Sequence, residues 1–168
     1  MRIVTVFVAL VALVSLSIWA QQPAGQRGGG QRQNQAPPLQ GGQVTAADLA
    51  AIVAKQPADR NGNATFLQLA PYNVNMEHRV NIPQNASIHD KEAELFYVIN
   101  GSGMIVTGGK LINPTKNGDN STGSGIEGGT AKKLAKGDFV LVPEGTPHWF
   151  SMVDGELTMM SLHLPRSK

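Results

Sequence analysis

The stretch Ala86 to Gly101, ASIHDKEAELFYVING, decides how this chain is read. It places His89 five residues before Glu94. In one continuous strand that odd spacing would send the two side chains to opposite faces. The polar run Asp90-Lys91-Glu92-Ala93 between them reads as a turn, so strand, turn, strand lets His89 and Glu94 converge from neighbouring strands. A later stretch, Gly137 to Met152, GDFVLVPEGTPHWFSM, delivers His148 at the start of a new strand, just after a turn rich in Pro and Gly. Two imidazoles and one carboxylate are the ligand set of a divalent metal site with open positions, of the non-haem iron or catalytic zinc type.

Glu94 begins an otherwise apolar strand and shares a face with Phe96 and Val98. A carboxylate on such a face is costly to bury unless it is paired or bound to a cation, which favours a ligand role. Here the two stretches resemble the paired motifs of the cupin superfamily, G-x5-H-x-H-x3,4-E-x6-G and G-x5-P-x-G-x2-H-x3-N. Glu94-x6-Gly101 matches the first, and Gly137-x5-Pro143-x-Gly145-x2-His148 the second. The resemblance covers about residues 70–165 and implies metal ligation by His89, Glu94 and His148. Three positions depart: Ser87 stands where the first histidine belongs, Met152 where the closing asparagine belongs, and Asn81 or Ile82 near the opening glycine. Fe, Mn, Ni and Zn all suit the remaining set. The resemblance also implies dimers, since many cupins form them, and an outward strip of Leu95, Tyr97 and Ile99 agrees.

At 168 residues the chain has room for one domain and little else. Arg2 precedes an uncharged, mostly apolar run from Ile3 to Trp19, which reads as a signal peptide over residues 1–20, with Ala20 before the cleavage point. There is no Cys, so neither a lipid-anchored cysteine nor a disulfide scaffold is available. Export to the periplasm or medium of a bacterium is expected, with no stable membrane insertion after cleavage. The formal charge is +2, and the nearest basic cluster, Lys132, Lys133 and Lys136, is no stripe for nucleic acid.

Residues 21–43 hold eight Gln, six Gly and three Pro, too little apolar surface to offset ordering, so a disordered linker is expected. A single barrel domain should then fill 44–168. Thr45 with Asp48 three residues on resembles a helix cap, predicting a short helix over about 46–55. From Thr65 the pattern turns to about nine short strands broken by Gly, Pro and Asn. That pattern predicts an all-β, antiparallel barrel of jelly-roll type. Gly101-Ser102-Gly103 and Lys136-Gly137-Asp138 read as hairpin turns, and Asn113–Thr130, rich in Gly, as one long loop.

The expected lining of a small-ligand pocket follows from strand alternation. Phe96, Met104, Phe150 and Met152 fall on the inward period, Ser87 shares a face with His89, and His78 is placed to reach inward as a replacement ligand or acid–base group. The pocket would take a small oxygen-rich molecule, either as the substrate of a metal enzyme or, on the alternative reading, as the sugar or organic acid held by a non-catalytic barrel.

Overall fold

The computed structural model describes residues 39–40 and 42–166. The expected signal segment and nearly all of the expected linker lie outside them. Thr45 caps helix α1 (Ala46–Val53) reciprocally: its hydroxyl accepts from the Asp48 amide at 3.1 Å, and the Asp48 carboxylate accepts from the Thr45 amide at 3.0 Å. No helix among the described residues is long and apolar enough to cross a membrane.

The rest is strand. In chain order these are β1 (Leu39–Gln40), β2 (Gly62–Leu69), β3 (Tyr72–Val80), β4 (Ala86–His89), β5 (Glu92–Thr107), β6 (Lys110–Ile112), β7 (Thr115–Asn117), β8 (Asn120–Gly123), β9 (Gly125–Glu127), β10 (Thr130–Ala135), β11 (Phe139–Val142) and β12 (His148–Pro165). Ten belong to one sheet, and β6 pairs with β9 apart from it. All pairs are antiparallel except β1 with β2. The central strand is β12, which pairs with β3, β4 and β5. The ladder stays open, as a jelly roll rather than a closed ring of hydrogen bonds, because β10 and β11 both end on β5.

The core lies on the inner face of this folded sheet. Phe96, Val98, Ile105, Leu134, Val142, Phe150, Val153, Leu157 and Met159 form one cluster, each no more than 4% exposed. Phe96 meets Phe150 edge to face, ring centroids 5.1 Å apart.

Four expectations are corrected here. Gly101-Ser102-Gly103 is no hairpin, because β5 and β12 run through as long bent strands. Gly101, at φ +84°, passes so close to the Glu156 carbonyl that a Cβ would collide with it, so glycine is required by both conformation and space. Lys136-Gly137-Asp138 turns the chain within one path, since β10 and β11 lie end to end along β5. Asn113–Thr130 is mostly strand: β8 pairs with β4, and β7 closes a hairpin on β8. Finally, Met104 and Met152 pair with each other on the outer face, Met152 being 42% exposed. Irregularities in the β5–β12 register, at Ile99 and at Ser151, shift the alternation and turn both methionines outward.

Candidate metal centre

Three elements bring the expected residues together. His89 ends β4, Glu94 is the third residue of β5 after the Asp90-Lys91 turn, and His148 opens β12 beside Ser87 on β4. The Gly145 amide donates to the His89 carbonyl at 2.8 Å and so holds the Pro-Gly turn against the first motif. Glu94 is 3% exposed. Its Oε2 lies 3.3 Å from His89 Nε2 and 3.2 Å from His148 Nε2.

A fourth side chain joins them that the motif reading missed. His163 sits opposite Glu94 in the β12–β5 register, and its Nε2 lies 3.2 Å from Glu94 Oε1. His89, Glu94 and His163 each offer one ligand atom, all within 4.8 Å of one another, a grouping able to hold a metal ion. The His89 ring lies 5.3 Å from that of His148 and 4.6 Å, edge-on, from that of His163. The signal in the sequence was a lone histidine in an apolar terminal strand.

Two of the imidazoles are held from behind through Nδ1. His89 Nδ1 is 2.8 Å from Asn120 Oδ1, and His148 Nδ1 is 3.4 Å from the Thr146 carbonyl. His163 Nδ1 lies 3.1 Å from Glu92 Oε2, an ion-pair contact without a directed hydrogen bond. With the proton on Nδ1 facing their acceptors, the Nε2 lone pairs of His89 and His148 are free for a cation. A further observation bears on that fit. Glu94 Oε2 is shielded from solvent and close to two ring nitrogens, yet it receives no well-directed hydrogen bond. His89, Glu94 and His163 are close enough together to hold one ion, and His148 stands at the edge of that grouping. The residues therefore fit a divalent ion of the nitrogen–oxygen class.

The electrostatics agree. Burial pushes the Glu94 carboxyl up, but the three imidazoles outweigh it and hold the group well below its ordinary 4.5. Burial pushes His89 down, but Glu94 and Asn120 prevail and leave it above its usual value. Glu94 raises His163 despite burial, with help from Glu92 and Glu77.

The segment expected as a loop at Asn113–Thr130 thus places Asn120, the partner of His89 Nδ1, at the tip of the β7–β8 hairpin. Two ion pairs fasten that tip to the Asp90-Lys91 turn, Lys91 with Asp119 at 3.0 Å and Lys116 with Asp90. Asn120→Ala should lower metal affinity by roughly 10–100-fold while leaving the fold intact, measured by chelator competition.

Of the other expected pocket residues, Phe96 and Phe150 line the interior, Phe96 lying 6.0 Å from the His148 ring, and Ser87 is half-buried. His78 is a correction. It is buried at 4% exposure on the face of β3 opposite to the cluster, with Nδ1 3.3 Å from Thr158 Oγ1. The inner face of β3 carries Glu77 and Arg79 instead, an ion pair of 2.6 Å with the guanidinium stacked 4.4 Å over Phe150. A cleft of about 340 Å³ floored by Ile105, Leu134 and Val142 opens beside β10 and β11, and no member of the imidazole cluster lines it.

A family model described as Cupin matches residues 79–161. The chain belongs to the cupin superfamily. No curated protein matches it. Among solved structures, this cupin is similar to a protein of Bacillus halodurans at 14% identity, covering 76% of this chain and 86% of that one with a TM-score of 0.50. It is also similar to a cupin superfamily protein of Desulfitobacterium hafniense at 11% identity, covering 69% and 87% with a TM-score of 0.46. A third is an iron(II) form of HppE, at 16% identity, covering 66% and 54% with a TM-score of 0.49. The likeness to the Bacillus halodurans protein speaks for the fold, and the chemistry rests on the cupin's own side chains.

Proposed function

We propose that this chain is an exported cupin that holds one divalent ion through His89, Glu94 and His148, and that it acts enzymatically on a small oxygen-rich molecule. The observation that carries this reading is the buried Glu94 carboxylate, its Oε2 without a directed hydrogen bond, at the centre of a histidine cluster. A bound Fe, Mn, Ni or Zn ion would supply Lewis acidity toward an oxygen donor. Around it, Phe96 and Phe150 exclude water, and Asn120 and Thr146 orient the His89 and His148 rings. Ser87, beside His148, offers a hydroxyl to the ligand. Export is supported by the apolar N-terminal run. Pairing with a second copy is supported by the outer strip of Leu95, Tyr97 and Ile99, extended by Phe139 and Leu141 at 66% and 60% exposure.

The test is calorimetric titration of stripped and metal-loaded protein with a panel of hydroxy acids and sugars. Binding confined to the loaded form is expected. Equal binding by both forms would favour the non-catalytic barrel and contradict the metal-dependent function.

A further inference from the structure

We infer that His163 supplies the imidazole that the first motif lacks at Ser87, so that the ligand set has moved from β4 to the last strand without losing its composition. This rests on the reading of the cluster as a metal centre, and goes beyond it by assigning a fourth ligand outside both motifs. In register, Ser87 is the cross-strand neighbour of His148, whereas His163 is the cross-strand neighbour of Glu94. The two positions therefore approach the cluster from different strands. A serine hydroxyl is a poor ligand for these ions, and Ser87 leaves that side with one donor fewer. His163 restores a third imidazole from the Glu94 side.

Three observations favour ligation over a bystander role. His163 Nε2, rather than Nδ1, faces Glu94, at 3.2 Å, as do the Nε2 atoms of the two motif histidines. The Nδ1 side lies 3.1 Å from the Glu92 carboxylate, an ion-pair contact without a directed hydrogen bond. Glu92 and Glu94 are two apart on β5, so both carboxylates of one strand face the His163 ring. The competing account is that His163 only donates a hydrogen bond to Glu94 Oε1. An amide in its place would preserve that bond but would be a poor ligand, which separates the two accounts.

The full chain, zinc-loaded, is compared as wild type, His163→Ala, His163→Gln and Ser87→His/His163→Ala. Zinc affinity is measured by chelator competition, and the number of bound imidazoles by X-ray absorption. Wild type should show three imidazoles. His163→Gln and His163→Ala should each show two, with affinity lowered by about 100-fold or more, in excess of the 10–100-fold typical of an outer-shell loss. Ser87→His/His163→Ala should regain the third. Wild-type affinity with an unchanged imidazole count in His163→Gln would overturn the assignment, and failure of Ser87→His/His163→Ala to regain an imidazole would overturn the equivalence of the two positions. His163→Gln keeps the test decisive if His163→Ala does not fold. Wild type that takes up no zinc would instead sink the metal-centre reading itself, a separate result.

Discussion

Glu94→Gln is expected to abolish metal retention, lowering affinity by at least about 100-fold, or about 2.8 kcal/mol at 1.4 kcal/mol per tenfold. The amide has nearly the same shape, so packing survives, but the one anionic donor among the three imidazoles is gone. The same variant tests the electrostatics without metal. In stripped wild type, His89 and His163 are raised by Glu94, so their pairing contributes stability that is full below 6.5 and lost as pH rises through their raised values. Glu94 is depressed, so its contribution is full above 4.5 and lost as pH falls toward its lowered value. Stripped wild type should therefore melt highest between those two limits. Glu94→Gln should lose the maximum and the pH dependence on both sides. Thermal melts in chelator across that range measure it, and an unchanged profile in the variant would contradict the pairing.

Phe96→Ala is expected to carry the largest cost to the fold, about 3–5 kcal/mol. Phe96 is 1% exposed at the middle of the inner face, in edge contact with Phe150 and 6.0 Å from the His148 ring. Its neighbours are strands tied on both sides, so the space left by the ring cannot close by a shift of loops, and a cavity remains. Denaturant unfolding of stripped protein isolates this cost from metal binding. The loaded protein should show a further loss, because His148 no longer has the ring behind it. A cost below about 1 kcal/mol would mean that the interior collapses around the deletion, and that Phe96 does not organise the core.

How far the sequence reached depended on what each reading could sense. Alternation placed Glu94, Phe96 and Val98 on one face because β5 keeps period 2 from Glu92 to Val98. It failed at Met104 and Met152 because one extra residue in a strand inverts every side chain beyond it, and no residue type announces that insertion. Val74, Met76, His78 and Val80 do share a face, as alternation requires, but both faces of β3 are covered, and hydrophobicity cannot say which one looks at the site. The strands β7 and β8 escaped notice because their exposed side chains are polar and their order comes from backbone pairing with β4, which composition does not register. His89 and Glu94 were legible because a short turn brings them together, and His148 because the Pro-Gly turn before it matches the second motif. His163 was not, because its place opposite Glu94 depends on the register of two strands some seventy residues apart.

The most direct test is elemental analysis of the wild-type chain, purified without chelator, beside His89→Ala/His148→Ala. A single ligand set predicts about one equivalent of iron, manganese, nickel or zinc in wild type and none in the variant. Metal absent from both, even after reconstitution, would contradict the account and leave a barrel that binds its ligand without an ion.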